Sequence, residues 1–386
     1  MANLKISRRN FMGSIVAGAA VLPLRNYPWA YPSTTAPPFE RKIDWGYPEG
    51  ACRLNANENP FGPSPRALAA MEKALSQAHR YTSGQQLIKE LASYHKVSND
   101  MVLAGCGSTE FLRIAPWAFL RNGGELITAL QTYKTLIREA GKIGAKVNAI
   151  PLNKDFSFDL KSIKKALTSE TKMIYLVNPN NPTGTRLDFD AIQNLCASLP
   201  QRIIVFIDEA YSHFLEDKKG RDGITLIKQG YNVIVSRTFS KVHGLAGMRL
   251  GYAIAKPSII KELKVFAFRS MGINQAVFAG GLVSLEDEKH VQKYKELVRE
   301  GKEFYYDQFD SLGLKYIPST TPFLMVKVNM ASKVAQKKLA SKHVFVRKGE
   351  DWQMPSYLRI SIGFPEENRT CISALEKIIN WEKIKS

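Results

Sequence analysis

Short apolar segments alternate with helix-like segments from about residue 100 onward, and this alternation limits the possible folds more than any other feature. Apolar runs at 125–130, 172–177 and 202–207 are separated by amphipathic stretches such as 108–120 and 188–198. Continuously apolar strands are typical of parallel sheets that helices cover on both faces. We therefore expect an α/β fold with a mostly parallel central sheet. Ligands of such sheets bind beyond the carboxyl ends of the strands.

The pattern changes along the 386 residues, which predicts several regions. After Pro257 long helical patterns and a few scattered strands replace the regular alternation, as in a small α+β domain. The predicted regions are an export signal and linker at 1–38, an arm that belongs partly to the small domain at 39–99, a large α/β domain at 100–285 and a small α+β domain at 286–386.

The N-terminus carries the paired arginines Arg8 and Arg9, with Phe11 two positions later. A mild apolar run at 13–24 and a proline-rich stretch at 25–38 follow. This order is typical of a twin-arginine export signal, and the alternative is a basic N-terminal helix of a cytoplasmic protein. We expect export to the periplasm by the twin-arginine route, or a cytoplasmic location if the signal is not used.

Composition narrows the possible partners. The formal net charge is +19, from 54 basic and 35 acidic side chains, but the lysines are scattered and no nucleic-acid-binding motif is present. A basic solvated surface is therefore the preferred interpretation, and no nucleic-acid partner is expected.

No metal site or disulfide is expected, because no CxxC or CxxH spacing occurs. No apolar run reaches eighteen residues, so no membrane span is expected apart from the export signal.

Lys241 and Asp208 are the two residues whose sequence surroundings most strongly indicate a cofactor. Lys241 follows hydroxyl residues, precedes Gly244 and Gly247, and stands eight positions before Arg249. Asp208 ends an apolar strand, where a buried carboxylate needs a positively charged partner. A protonated pyridine nitrogen is such a partner, and for Asp208 alone a structural salt bridge is the alternative. A lysine amine of lowered pKa can hold an aldehyde as a Schiff base. The pair predicts pyridoxal 5'-phosphate (PLP) as the cofactor and amino acids as the substrates.

Other side chains at predicted strand ends complete this cofactor site. Tyr211 and Asn181 could bind the ring oxygen. Tyr133 could stack on the pyridine ring or could be an ordinary core tyrosine. Glycines that join a strand to a helix leave backbone N–H groups free for phosphate, and an arginine matches a dianion well. The predicted phosphate ligands are Ser108, Thr109, Thr238, Ser240 and Arg249.

Two arginines near the C-terminus are candidate substrate ligands. Arg359 lies inside the apolar segment 358–362, where an arginine needs an anion such as a substrate carboxylate. Arg347 ends the apolar segment 344–347 and has a similar setting. It could hold a second substrate anion, or it could form a structural ion pair.

Taken in this order, the motifs resemble the aspartate-aminotransferase superfamily of fold type I PLP enzymes. Within that superfamily the chain is most similar to the histidinol-phosphate aminotransferase family, over residues 45 to 385. There are departures: Gln131 stands where the family often has proline, and Ser108-Thr109-Glu110 stands where it often has Ala-Asp-Glu. The resemblance is carried by segments 54–63, 80–81, 181–184, 208–211, 240–249 and 358–363.

The resemblance implies specific roles. Lys241 would bind the cofactor and move a proton, with Asp208 and Tyr211 completing the catalytic set. Tyr81 would reach the cofactor phosphate of a neighbouring subunit, so a homodimer is implied. The substrate ligands implied are Arg359 for the α-carboxylate of glutamate, Arg347 for the phosphate of histidinol phosphate, and Asn57.

We expect a PLP-dependent aminotransferase that moves an amino group between an amino acid or amino-alcohol phosphate and a 2-oxo acid. An export signal is unusual for an enzyme of histidine biosynthesis, so the substrate stays open. The alternatives are an aromatic amino acid aminotransferase or a PLP-dependent decarboxylase on the same fold. A more distant alternative is a PLP-binding or nucleic-acid-binding protein without turnover.

Overall fold

The computed structural model describes residue 44 and residues 46–215, 221–268 and 272–385, with side chains described as far as residue 379. The chain divides into two units, 1–47 and 48–386, and all the described helices and strands belong to the second. The predicted export signal at 1–38 lies outside the described residues.

The described residues contain both short and long elements. The strands are β1 (Cys52–Arg53), β2 (Val102–Gly105), β3 (Glu125–Ala129), β4 (Lys146–Ile150), β5 (Thr171–Val177), β6 (Ile204–Asp208), β7 (Val233–Thr238), β8 (Gly251–Ala255), β9 (Tyr316–Ile317), β10 (Phe323–Lys327), β11 (Val344–Phe345), β12 (Arg347–Lys348) and β13 (Tyr357–Ser361). The α-helices are α1 (Pro65–Ala74), α2 (Gln85–His95), α3 (Ser108–Phe119), α4 (Thr135–Lys142), α5 (Leu160–Lys165), α6 (Phe189–Ala197), α7 (Gly223–Lys228), α8 (Pro257–Lys264), α9 (Gln275–Glu286), α10 (Glu288–Ser311), α11 (Ser332–Ala340) and α12 (Pro365–Lys385).

The central sheet has seven strands in the order β2-β8-β7-β6-β5-β3-β4. Only β8 runs against its two neighbours, β2 and β7, whereas the other pairings are parallel. All residues of β2, β3, β6, β7 and β8 are buried. The predicted α/β class with a mostly parallel sheet is therefore confirmed.

The strand directions bring polar residues to one edge of this sheet. Gly105, Asp208 and Thr238 are the last residues of β2, β6 and β7. Gly251 begins the antiparallel strand β8 and pairs with both Gly105 and Thr238, so it lies at the same edge. Carboxyl ends of parallel strands are where open α/β sheets bind ligands.

A second core surrounds a four-stranded antiparallel sheet with the order β12-β13-β10-β9. The N-terminal arm contributes to both cores. Strand β1 pairs in parallel with β11, and Leu54 packs in the second core. Met71, Leu87 and Leu91, from α1 and α2, instead pack in the core of the seven-stranded sheet. The boundary at 285/286 stays a prediction.

Two details differ from the sequence-based expectations. The expected strand 344–347 is broken, because β11 ends at Phe345 and pairs with β1, whereas Arg347 begins β12 and pairs with β13. Helix α9 is absent from the sequence-based expectations. Its sequence is apolar around most of its circumference, and Gly280 and Gly281 pack so closely on Met71 and Leu250 that an added Cβ would collide. A helix buried on several sides has no amphipathic stripe to detect.

No described helix is both long and apolar enough to cross a membrane.

Candidate active site

A cleft of about 480 Å³ opens at the carboxyl edge of the central sheet. Its walls come from the ends of β6 and β7, the start of α3, the loop at 55–58 and the strands β12 and β13. A slightly larger cavity of about 510 Å³ lies beside α6 and α7, but it contains none of the predicted site residues. The cleft is lined by Asn57, Ser108, Thr109, Tyr133, Asn181, Asp208, Tyr211, Thr238, Ser240, Lys241, Arg249, Arg347 and Arg359, which is every predicted site residue except Tyr81.

Lys241 lies three residues beyond the end of β7, in a turn that the N-terminal arm covers. Its Nζ donates a hydrogen bond of 2.8 Å to the backbone carbonyl of Ala56. Burial lowers the pKa of Lys241 to about 8, and the nearby Arg359 and Arg249 act in the same direction. At pH 7 about a tenth of the amine is therefore neutral, far more than for an ordinary lysine, and the neutral form is the one that attacks a carbonyl carbon.

Asp208 is a buried carboxylate without a counterion. Its Oδ1 accepts hydrogen bonds from the backbone N–H of Ala210, at 3.2 Å, and from the hydroxyl of Ser236, at 3.3 Å. No lysine, arginine or histidine of the described chain forms an ion pair with it. Burial raises the pKa of Asp208 to about 6. A cationic N–H group that bound in the cleft would donate a hydrogen bond to this carboxylate and balance its charge.

Tyr211 is held by a short chain of side chains from distant segments. Asn57 donates an amide hydrogen bond of 2.9 Å to the Tyr211 hydroxyl, and its Oδ1 accepts one of 3.0 Å from Ser361. The backbone of Asn57 is left-handed, with φ of 55°. Burial raises the pKa of Tyr211 to about 12, so the phenol stays protonated and can donate a hydrogen bond into the cleft.

The start of α3 and Arg249 form a cradle suited to phosphate. Arg249 donates hydrogen bonds to the Ser240 hydroxyl at 3.2 Å and to the Thr109 hydroxyl at 3.5 Å. A Cβ on Gly107 would stand 2.5 Å from the Arg249 guanidinium, and Gly107 also has a positive φ of 75°. A side chain here would be strained by the positive φ and would displace the guanidinium, so glycine suits this position. The Thr238 hydroxyl accepts a hydrogen bond of 3.1 Å from the backbone N–H of Ser240.

Arg359 is a buried arginine without a carboxylate partner in the described structure. It donates to the Asn181 side-chain oxygen and to the carbonyl of Asn55, each at 2.7 Å, while its buried Nε has no partner. The guanidinium lies 5.1 Å from the Trp352 ring centre. Burial lowers the pKa of Arg359 to about 10. A buried guanidinium with unused N–H donors, Nε among them, is a suitable ligand for an entering carboxylate.

Arg347 has a different setting from the one its sequence suggested. It is exposed, and its Nε donates to the Asp351 carboxylate at 2.8 Å. The structural ion pair that the sequence left open is therefore present. Arg347 also pairs directly with Arg359 across β12 and β13, so the two side chains share one face of the sheet. Like charges in this position repel, and a bound anion would relieve that repulsion.

Several lining residues are absent from the sequence-based predictions. The charged ones are Lys134 and Arg138, at the start of α4, together with Glu58 and Asp351, while Asn55 and Trp352 contact Arg359. Lys134 directly follows Tyr133, which is the one local signal that could have indicated it. Arg138 follows Lys134 by one helical turn and Asp351 follows Arg347 by four residues, whereas Asn55 and Trp352 reach Arg359 through contacts that no such spacing had indicated.

The residues present fit the expected cofactor. The carboxylate of Asp208 has no cationic partner in the described structure, the backbone at Gly107 closely approaches the Arg249 guanidinium, and the Lys241 amine lines the same cleft as Asp208 and Arg249. A phosphorylated pyridine aldehyde carries the complementary groups: a ring nitrogen, a phosphate and a carbonyl carbon. Among the described residues no group of His, Cys, Asp or Glu side chains is arranged to hold a metal ion.

Comparisons with known proteins agree with this site. The family described as "Aminotransferase class I and II" matches residues 50–375. Histidinol-phosphate aminotransferase of Moorella thermoacetica is 34% identical over 330 residues, which cover 85% of this chain and 85% of the relative. Histidinol-phosphate aminotransferase 2 of Ralstonia nicotianae is 36% identical over 332 residues, or 85% and 88% of the two chains.

Solved structures share the whole fold of the second unit. The histidinol-phosphate aminotransferase of Sinorhizobium meliloti, solved in complex with pyridoxal-5'-phosphate, superposes with a TM-score of 0.79 at 26% identity and covers 86% of this chain and 91% of that one. L-threonine-O-3-phosphate decarboxylase of Porphyromonas gingivalis shares the fold at 21% identity, with a TM-score of 0.75, and covers 85% and 99%. The chain belongs to the aminotransferase class I and II family and is a PLP-dependent aminotransferase.

Proposed function

We propose that the protein transfers an amino group from histidinol phosphate, or from a closely similar amino-alcohol phosphate, to a 2-oxo acid. The observation that carries this proposal is the arginine pair on β12 and β13. Arg359 is buried with an unused Nε, and Arg347 stands directly opposite on the same face. Together they suit a site that must accept a carboxylate in one half-reaction and a phosphate in the other. The relatives named as histidinol-phosphate aminotransferases support the same substrate.

Lys241 is the proposed Schiff-base residue and the proton carrier. When bound, PLP supplies an acceptor for the electron pair that the breaking Cα–H bond leaves behind. The Lys241 amine, with its pKa lowered to about 8 by burial, can take that proton at Nζ and return it at neutral pH. The carbonyl of Ala56, which accepts a hydrogen bond from Nζ, orients the amine in the cleft.

The remaining side chains hold the cofactor in the required electronic state and position. The Asp208 carboxylate would accept a hydrogen bond from the protonated ring nitrogen and keep it protonated. Tyr211 and Asn181 would bind the ring oxygen, and Tyr133 would stack on the ring. The phosphate ligands proposed are Ser108, Thr109, Thr238, Ser240 and Arg249.

A donor panel tests the proposed substrate. The purified protein is incubated with 2-oxoglutarate and, in turn, with histidinol phosphate, histidinol, phenylalanine and threonine phosphate, and Lys241→Ala serves as the inactive control. We expect histidinol phosphate to have the highest kcat/KM and to yield the corresponding ketone phosphate together with glutamate. Preference for phenylalanine would replace this substrate by an aromatic amino acid. Release of carbon dioxide from threonine phosphate without glutamate formation would indicate a decarboxylase.

We also propose that the active protein is a homodimer in which Tyr81 reaches the neighbouring subunit's cofactor phosphate. Within one chain Tyr81 is 90% exposed and lies outside the cleft. Phe268 and Leu75 are also strongly exposed, at 70% and 60%. Exposed apolar side chains of this size are common at protein interfaces.

Mixed dimers test that arrangement. Lys241→Ala and Tyr81→Ala subunits are each expected to give poorly active homodimers. A mixed dimer would combine Lys241 of one chain with Tyr81 of the other and so contain one intact site. Activity that reappears on mixing supports the proposal, and a monomeric, fully active Tyr81→Ala protein would contradict it.

Finally, we propose export by the twin-arginine route. The support is the sequence at Arg8 and Arg9, followed by the apolar run 13–24, ahead of the family match that begins at residue 50. This route carries folded proteins, which suits an enzyme that must bind its cofactor first. Cell fractionation of the natural chain and of an Arg8→Lys/Arg9→Lys variant tests the proposal. Equal cytoplasmic retention of both chains would contradict it.

A further inference from the structure

Two cations line the cleft without a partner of opposite charge. Lys134 and Arg138 both belong to its wall, and neither forms an ion pair with a carboxylate of the described chain. Lys134 is half-buried and Arg138 is exposed. They stand four residues apart at the start of α4, so their side chains point to the same side of the helix.

This placement is unfavourable for the helix itself. Lys134 is the N-cap residue of α4, Arg138 follows within the first turns, and the first turn contains no acidic residue. The helix N-terminus carries a partial positive charge, which repels cations, and like charges four residues apart repel each other. Burial lowers the pKa of Lys134 and Arg138 lowers it further, whereas Asp351 acts in the opposite direction. Local rules of this kind are broken mainly where function requires it.

The cations that line the cleft outnumber the carboxylates, and Lys134 and Arg138 have no ion-pair partner among the described residues. The lining carboxylates are Glu58, Asp208 and Asp351, and the lining cations are Lys134, Arg138, Lys241, Arg249, Arg347 and Arg359. Glu58 already pairs with Arg53, and Asp351 already pairs with Arg347. The cofactor and a substrate carboxylate are the proposed partners of Lys241, Arg249 and Arg359. Lys134 and Arg138 remain without an anion.

We propose that Lys134 and Arg138 form an anion subsite that binds the phosphate group of the amine substrate. Two unpaired cations match the charge of a phosphate dianion better than that of a single carboxylate. The subsite adjoins Tyr133 in the sequence, so it lies beside the wall on which the cofactor ring is proposed to stack. Arg347, whose charge Asp351 already offsets, then has a supporting role in holding the phosphate. This inference rests on the proposed function, because the substrate must carry a phosphate.

The test is a double variant, Lys134→Gln/Arg138→Gln, assayed as the PLP-loaded enzyme. We expect kcat/KM for histidinol phosphate to fall by about 10- to 100-fold, mainly through KM, because two charge-assisted contacts to phosphate are lost. The kcat/KM for histidinol, which lacks the phosphate, should change by less than about twofold. The conservative variant Lys134→Arg/Arg138→Lys should recover most of the loss. An equal loss for both donors would indicate a structural role and overturn the subsite.

A matched control and a second readout separate this inference from the proposed function. The variant Lys164→Gln/Lys165→Gln removes the same charge from exposed positions on α5, away from the cleft, and should behave like the natural chain. Competitive inhibition by inorganic phosphate tests the subsite without any assumption about the amine. A phosphate Ki that rises in the cleft variant alone supports the subsite even if histidinol phosphate proves inert, which would defeat only the proposed substrate. An unchanged Ki together with an unchanged kcat/KM overturns it.

Discussion

Asp208 and Glu209 are neighbours in the sequence, and both are buried, yet their surroundings differ completely. The Glu209 carboxylate accepts hydrogen bonds of 2.6 and 2.9 Å from Arg237, and it also accepts one of 2.8 Å from the backbone of Gly223. Among the described residues, the Asp208 carboxylate accepts hydrogen bonds from one hydroxyl and one backbone N–H, and neither donor is charged. The charge of Glu209 is therefore balanced by Arg237, whereas the charge of Asp208 is available to a ligand.

The two buried arginines repeat the contrast. Arg237 contacts both Glu209 and Asp222, at 2.6 Å each, and although burial alone would lower its pKa, these acids raise it. Arg359 donates its hydrogen bonds to neutral oxygens in the described structure, and burial lowers its pKa to about 10. A buried charge with a partner has much of its desolvation cost offset inside the protein. A buried charge without one destabilises the ligand-free protein until an ion of opposite charge binds.

The largest expected effect is on catalysis at Asp208. The variant Asp208→Asn keeps the shape of the side chain but removes the charge that is proposed to hold the ring nitrogen protonated. We expect kcat to fall by about three to four orders of magnitude, because the electron sink is weakened. Single-turnover rates with glutamate measure the effect. A rate within tenfold of the natural enzyme would remove Asp208 from this role.

The balanced pair should show the opposite behaviour. Glu209→Gln leaves Arg237 with a single carboxylate partner, Asp222, so the free energy of unfolding should fall by about 3–5 kcal/mol. Activity per folded molecule should change little. Urea denaturation of the loaded enzyme measures the loss, and Asp190→Asn, which removes the partner of an exposed arginine, is the control. A large loss of kcat without a loss of stability would contradict the proposed difference between Asp208, which serves catalysis, and Glu209, which serves stability.

The unbalanced carboxylate also predicts how the stability of the PLP-free protein depends on pH. Burial raises the pKa of Asp208 from its ordinary value of 3.8 to about 6 in the folded protein. Folding therefore favours the protonated acid, and the cost of its ionised form grows as pH rises from about 4 through 6. Above pH 7, Asp208→Asn should stabilise the PLP-free protein by up to about 3 kcal/mol relative to the natural chain. Below pH 4 the two should be equal, and a PLP-free variant that is less stable at pH 8 contradicts the account.

The smallest effect concerns Arg359. Arg359→Lys keeps the charge but loses the planar fork that can bind a carboxylate with two donors. We expect KM for 2-oxoglutarate to rise by about 10- to 100-fold with a smaller change in kcat. The same change at Arg369, an exposed arginine on α12 that pairs with Glu366, should leave KM unaltered. If both substitutions act alike, Arg359 is not the carboxylate ligand.

Much of the site was predictable because its residues follow local rules. Asp208 ends an apolar strand, Ser108 begins a helix after glycines, and Lys241 stands in a short glycine-containing turn, so each position could be placed at one edge of the sheet. The loop at 55–58, which covers Lys241, could not be placed, because its contacts join residues more than 180 positions apart. The approach of Lys134 to the cleft depends on similarly distant packing, whereas the ion pair of Arg347 with Asp351 spans only four positions.

Covalent attachment of the cofactor to Lys241 is the claim on which the proposed chemistry depends most. Borohydride reduction of the PLP-loaded protein, followed by peptide mass mapping, tests this directly. We predict a single pyridoxyl adduct on the peptide that contains Lys241, together with loss of the visible absorbance band of the loaded protein. An adduct on another lysine, or a protein that takes up no cofactor when PLP is supplied, would contradict the assignment.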